Sequence, residues 1–331
     1  MVRFTRREAL GCAASLAVVG SLFPWNARAQ GAYPTRPITL MLPWAAGGGT
    51  DATARTLAAL LQKDLGQPVN VINRTGGSGV VGHTALATAP PDGHTIGMVT
   101  VEITMMHRQG LTELTPAAYT PLALVVNPAP GVLVNASSPY KDVQALAEAI
   151  KASPPGKFKA SGTGQGGSWH IGLVGWLQAM GLKADHVTWV PSQGSAPAMQ
   201  DLAAGGIDLA TCSIPEGRAM MDAGRVRALA VMAEQRNPQF PNVPTLGEAL
   251  GIKHTFGAWQ GVAAPKGLPA DIRDKLVASL AKAHASPDFA QFADSRGFTS
   301  QWAGGEDFAK FMAEQDVVVG RAMTAAGLAK T

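Results

Sequence analysis

Three times in this sequence a strand-like apolar run passes through clustered glycines into a helix-like run. The first is Ile38 to Leu42 followed by Pro43-Trp44-Ala45-Ala46-Gly47-Gly48-Gly49-Thr50-Asp51. The second is Val69 to Ile72 followed by Asn73-Arg74-Thr75-Gly76-Gly77-Ser78-Gly79. The third is Lys157 to Ala160 followed by Ser161-Gly162-Thr163-Gly164-Gln165-Gly166-Gly167-Ser168-Trp169-His170. Such alternation implies right-handed crossovers and a parallel sheet, so an α/β fold. It puts the glycine turns at the carboxyl ends of strands, where open α/β sheets bind ligands. Glycines leave backbone N–H groups uncovered, and a helix start adds partial positive charge. A turn of this kind can hold an anionic group without a cationic side chain. The plainer reading of any one of them is a tight turn.

The N-terminus stands apart. Arg3, Arg6 and Arg7 precede an apolar run from Ala9 to Phe23, too short to span a bilayer comfortably. Ala27-Arg28-Ala29 fits a signal-peptidase site, with cleavage expected before Gln30. Thr5 to Leu10 resembles a twin-arginine export signal. Residues 1–29 therefore read as a signal peptide, and the mature protein as periplasmic. The leader carries four arginines and one glutamate, so its removal takes the net charge from +4 to +1. Nucleic-acid binding then loses its electrostatic support. Cys212 is left as the sole cysteine, which excludes an intrachain disulfide.

Further along, Thr95 to Val99, Leu122 to Val126, Val132 to Val134, Val187 to Val190, Ile207 to Cys212 and Val226 to Met232 read as strands. Ala258 to Pro265 is a strand returning to the first domain. Thr50 or Asp51 is placed to cap the helix after the first turn. Two amphipathic helices, Asp271 to Ala285 and Gly305 to Met323, close the chain. There is no repeat at solenoid periods.

Enzyme signatures are missing. The sequence has no G-x-S-x-G elbow, no P-loop and no H-E-x-x-H. Its seven histidines do not pair at zinc spacing. No catalytic residue, metal ligand or cofactor is expected. Gly162, Gly164 and Gly167 match G-x-G-x-x-G, but the acidic residue a dinucleotide site expects after the next strand is absent, Asp185 lying before it. His170 reads either as a donor to a ligand or as a packing or capping group. What recurs instead is glycine N–H groups beside small hydroxyls: Thr50; Thr75 and Ser78; Ser161, Thr163 and Ser168; and, in a similar turn, Ser192 and Ser195. Facing turns of this type could grip both ends of a small carboxylate-bearing molecule.

These residues carry a family resemblance. Tyr33-Pro34-Thr35-Arg36-Pro37-Ile38, Pro43 to Asp51, Leu65-Gly66-Gln67-Pro68-Val69, Asn73-Arg74 with Gly76 to Gly79, Pro91-Asp92-Gly93, Ser161 to His170, Phe240 to Thr245 and Ala264 to Gly267 resemble the solute receptors of tripartite tricarboxylate transporters. The likeness runs through the mature chain in order. It implies a type II periplasmic-binding-protein (Venus-flytrap) fold, with two α/β domains closing on a ligand cleft. Residues 33–131 and 257–331 would form the first domain and 132–256 the second. The implied partners are a small organic acid and the membrane subunits of the transporter, and the chain is expected to be a monomer. Trp44, Ala46, Gly47, Gly48, Thr50, Asp51, Gly76 and Ser78 would form one wall of the site, with Thr100 and Glu102 at the same edge. Ser161, Gly162, Thr163, Gly166, Gly167, Ser168 and His170 would form the other, with Ser192, Gly194, Ser195 and Glu216. The rival reading is an exported hydrolase or oxidoreductase using the same cleft.

Three positions depart from the family pattern. Ser192-Gln193-Gly194 stands where many relatives have Tyr-Lys-Gly, and Glu102 and Glu216 stand where carboxylates are not the norm. Two carboxylates in a pocket suit a dianionic ligand poorly, since desolvated like charges repel. They point to a ligand with an amine, or rich in hydroxyls, beside one carboxylate. Alternatively both glutamates face solvent or pair with Arg108 or Arg218.

Overall fold

Ile38, Leu40 and Leu42 are buried in the strand that leads to the first glycine turn. In the computed structural model, which describes residues 33–330, this strand β1 (Ile38–Leu42) is an inner strand of a six-stranded sheet. The proposed signal peptide lies outside the described residues. From Arg36 onward the chain is one compact unit containing two sheets, each with its own layer of helices.

The first lobe runs β1, α1 (Gly49–Leu65), β2 (Val69–Asn73), α2 (Val80–Ala87), β3 (Thr95–Thr100) and β4 (Tyr119–Val126). The second runs β5 (Gly131–Asn135), α3 (Val143–Ala152), β6 (Lys159–Ser161), α4 (Ser168–Ala179), β7 (Thr188–Trp189), α5 (Ser195–Ala204), β8 (Leu209–Ala210), α6 (Arg218–Asp222), β9 (Val226–Val231) and α7 (Leu246–Leu250). The chain then returns to the first sheet with β10 (Gln260–Pro265), α8 (Ala270–His284), α9 (Pro287–Arg296), β11 (Ser300–Gly304) and α10 (Gly305–Ala325). The crossings lie side by side, with Ala258 N–H donating to the Pro128 carbonyl at 2.9 Å.

The sheets are mixed, which corrects the expectation of a parallel one. The first has the order β11-β4-β10-β3-β1-β2. Strands β2, β1 and β3 are parallel, but β10 is antiparallel to both β3 and β4 because it enters from the other lobe. The second sheet has the order β7-β6-β8-β5-β9. Its β7, β6 and β8 are parallel and β5 is antiparallel to its neighbours.

The parallel trios repeat one plan. In each, a central strand (β1 or β6) feeds the first helix through glycines and a flanking strand (β2 or β7) leads to the second. The other flanking strand (β3 or β8) leads to a short 3-10 turn, Val101–Thr104 or Ile214–Gly217. Glu102 and Glu216 occupy those two turns.

The closing segment holds three helices and a strand, not two helices. Ser286 caps α9 through Phe289 N–H, Pro287 follows it, and Gly297 ends it in the left-handed conformation. Below the crossing strand, Trp259 meets the edges of Phe308 and Phe311 at 5.7 and 5.8 Å between ring centroids.

Helix α2 packs directly on the first glycine turn through Gly82. A Cβ there would lie 2.6 Å from both the Pro43 Cα and the Arg74 carbonyl oxygen. Backbone cannot yield to that overlap as a flexible side-chain tip can. Gly82→Ala is expected to cost about 1–3 kcal/mol, read as a lower melting temperature with a folded circular-dichroism spectrum; an unchanged melt would show that this contact is not close.

Candidate functional site

Helices α1, α4 and α5 start on glycine. Gly48, Gly167 and Gly194 hold their N-cap positions, and no side chain caps any of the three. Glycine also precedes α2, α6 and α10, whereas Asp142, Thr245 and Ser286 cap α3, α7 and α9 through their side chains. The first N–H groups of a helix have no partner within it, so a glycine cap leaves them for another acceptor. At α1 and α4 that acceptor is a glutamate from the opposite lobe. Gly49 N–H donates to Glu216 Oε1 at 2.9 Å. Ser168 N–H donates to Glu102 Oε1, also at 2.9 Å.

Each carboxylate is also fixed within its own lobe. Trp44 Nε1–H donates to Thr100 Oγ1 at 3.4 Å, and that hydroxyl donates to Glu102 Oε2. Trp169 Nε1–H donates to Ser195 Oγ at 3.2 Å, and that hydroxyl donates to Glu216 Oε1 at 2.6 Å. Glu216 Oε2 takes two more bonds, from Ser213 N–H at 3.0 Å and Ser213 Oγ at 2.8 Å. Both lobes thus present the same relay: indole, hydroxyl, carboxylate, and the helix start of the other lobe. Glu102 is buried and Glu216 half-buried, and neither pairs with arginine. Arg108 binds Asp316, and Arg218 donates to the Ser295 carbonyl and lies over Phe240. Burial pushes the neighbouring Cys212 thiol well up, and Glu216 adds to that.

These groups line one cavity between the lobes, drawn in to an internal volume of about 20 Å³, room for little more than a water molecule. From the first lobe come Trp44, Gly48, Thr50, Thr100 and Glu102. From the second come Thr163, Ser168, Gly194, Ser195 and Glu216. The turn around Ser192, Gln193 and Gly194 closes against the first lobe, where Ala45 N–H donates to the Gln193 carbonyl at 3.1 Å.

Other residues named from the sequence lie behind this lining. Asp51 turns back to accept from Gly47 N–H, Arg55 and Asn73. Burial alone would raise its carboxyl, but these partners hold it below the usual value. It therefore clamps the turn rather than facing the cavity, and Gly48 holds the N-cap position assigned above to Thr50 or Asp51. Ala46 and Gly47 form the outer side of that turn, outside the lining. Gly76 shapes the second turn, where Ser78 Oγ donates to the Gln165 carbonyl across the lobes at 3.4 Å. Ser161 Oγ is spent on the Val190 carbonyl and Ser192 Oγ on the Gly194 carbonyl. Gly162 and Gly167 allow close packing, because a Cβ would lie 2.7 Å from Trp169 Cβ and 2.6 Å from Thr163 Oγ1, respectively. Gly166 adopts φ +70° under the Gln109 amide.

His170 is a packing group. Its Nδ1 accepts from Gly166 N–H at 2.9 Å, and its ring stacks on Trp189 at 4.7 Å. Of the other lining residues, Ala45 and Gly49 lie within the Trp44 to Asp51 wall, whereas Trp169, Ala258 and Gln260 were not assigned to the site. Gln260 had a legible signal, as a polar residue opening the apolar run Gly261 to Ala264. Among the described residues, no cluster of His, Cys, Asp or Glu could hold a metal ion. No described helix is long and apolar enough to cross a membrane.

A family model for the tripartite tricarboxylate transporter family receptor matches residues 53–328. The chain belongs to this receptor family. A protein of the tcbD–tcbE intergenic region of Pseudomonas sp. strain P51 is 34% identical over 298 residues, covering 88% of this chain and 86% of that one. Among solved structures, the periplasmic binding protein BugD is 30% identical with a TM-score of 0.83, covering 90% of this chain and 100% of that one. MatC from Rhodopseudomonas palustris, solved with bound malate, is 28% identical with a TM-score of 0.80, covering 88% and 99%. The receptor has their two-lobed periplasmic-binding-protein fold.

Two buried histidines give the receptor a pH dependence. His83 Nδ1 donates to the Gly79 carbonyl at 2.9 Å, so its Nε2 is the bare nitrogen that accepts from Thr100 N–H at 3.3 Å. In His170 the bare nitrogen is Nδ1. Burial pushes both imidazoles down to about 4. Unfolded, each would titrate near 6.5, so between those values the unfolded chain binds protons that the folded one does not. The stability is present above pH 6.5 and is lost as the pH falls toward 4, by up to about 1.4 kcal/mol per unit for each group. Urea denaturation at pH 7.5 and 5 should show the loss, and His83→Gln or His170→Gln should flatten the slope; equal wild-type stability at both pH values would contradict it.

Proposed function

We propose that this receptor is exported to the periplasm, captures a small carboxylate-bearing organic molecule in the interlobe cavity, and delivers it to the membrane subunits of a tripartite tricarboxylate-type transporter. The observation that carries the reading is the convergence of three glycine-capped helix starts, α1, α4 and α5, on one cavity formed by both lobes. Helix starts favour anionic groups. Thr50 and Trp169, second residues of α1 and α4, also line the cavity and sit where backbone N–H groups lack helical partners. Bound malate in MatC supports the same ligand class.

Residues 33–131 with 257–331, and 132–256, act as the two moving domains. The paired crossings at 127–130 and 251–259 are the hinge, since a few connecting residues can absorb the backbone change of closure. The cavity works by binding alone. Ser195 Oγ donates to a carboxylate, and no histidine lines the cavity to serve it as a base.

Native mass spectrometry of receptor recovered from periplasm of cells grown on mixed organic acids tests this. The expected result is one small-molecule adduct containing a carboxylate and lost on denaturation. No adduct under any growth condition, with no thermal shift from any organic acid, would contradict it.

A further inference from the structure

The anion-binding helix starts of this cavity are already occupied by the protein's own carboxylates. Glu216 takes the α1 start and Glu102 the α4 start. A ligand with two carboxylates would have to displace them or lie beside them. No lysine, arginine or histidine lines the cavity to offset that repulsion.

The two glutamates differ in remaining capacity. A carboxylate offers about four acceptor sites. Glu216 receives four donors: Gly49 N–H, Ser195 Oγ, Ser213 N–H and Ser213 Oγ. Glu102 receives two, from Ser168 N–H and Thr100 Oγ1, and is 2% exposed. Beside it stands a second acceptor. Gln260 pairs with Thr100 across β10 and β3, so their side chains share one face of the sheet. Gln260 is 5% exposed, lines the cavity, and its Oε1 has no hydrogen-bond partner. A buried acceptor left unpaired is costly, so this wall is suited to a ligand that donates.

We propose that the receptor's ligand carries an ammonium group, held by Glu102 and Gln260 Oε1, together with a single carboxylate at the helix-start N–H groups near Thr50 and Trp169. The ligand class is a small zwitterion, and dicarboxylates are selected against. An ammonium supplies three donors and a positive charge, which matches two acceptors on one side and reverses the like-charge penalty. This deepens the receptor reading above and rests on it.

Titration calorimetry on the full mature receptor, refolded from urea to remove any carried ligand, tests the assignment. The probes are zwitterionic amino acids of three to six carbons and dicarboxylates of matched length, malate included. At least one zwitterion should bind ten-fold or more tightly than its matched dicarboxylate. Glu102→Gln should weaken that zwitterion at least ten-fold and narrow the preference. Gln260→Met, which keeps the volume and removes the acceptor, should weaken it several-fold without changing the melting curve. A dicarboxylate that binds more tightly than every zwitterion would overturn the ammonium assignment and leave the receptor reading standing. Binding by no zwitterion would overturn it too, and the receptor reading would then be decided by the mass-spectrometric adduct. A preference unmoved by either substitution would remove Glu102 and Gln260 from the site.

Discussion

A carboxylate from each lobe, hydrogen-bonded to the first N–H of a helix in the other, is the contact on which this site depends. A helix start carries about half a positive charge, and a charge-assisted bond to it is stronger than a neutral one. The glycine caps are what make the exchange available. Gly49, the first helical residue of α1, shows the fit, since a Cβ there would approach Glu216 Oε1 at 2.9 Å. The hydroxyls of Thr100 and Ser195 and the indoles of Trp44 and Trp169 then orient each carboxylate, so the two sides of the cavity are built alike.

That likeness comes from topology. Each lobe places a central parallel strand before its glycine-capped helix and ends the neighbouring strand in a 3-10 turn carrying a glutamate. Closing the lobes brings each 3-10 turn to the other lobe's helix start. The receptor can therefore stabilise a closed arrangement with its own side chains. On the proposal made above, a ligand complements these carboxylates, and specificity then rests on Glu102 and its neighbour Gln260.

Much of this was legible in the sequence for local reasons. Glycine clusters between strand-like and helix-like runs mark the turns, and ten of the residues named from them or near them line the cavity. The partners of Glu102 and Glu216 were not legible, because each lies on the opposite lobe at a long sequence separation. Asp51 and His170 were ambiguous for a related reason: a polar residue beside a glycine turn serves equally to brace the turn or to meet a ligand. The mixed sheet was hidden because strand direction depends on where β10 re-enters. Strand β11 was hidden because none of Ser300 to Gly304 is buried, so the segment lacks an apolar alternation. Helix α9 does carry local signals, with serine, proline and a terminal glycine in order.

Small-angle X-ray scattering of the ligand-free receptor, compared with the Glu102→Gln, Glu216→Gln double variant, tests the central claim most directly. The account predicts a compact wild type, a larger radius of gyration when both carboxylates are neutralised, and little further compaction of the wild type on ligand addition. Identical open profiles for the two proteins, both contracting only with ligand, would contradict it.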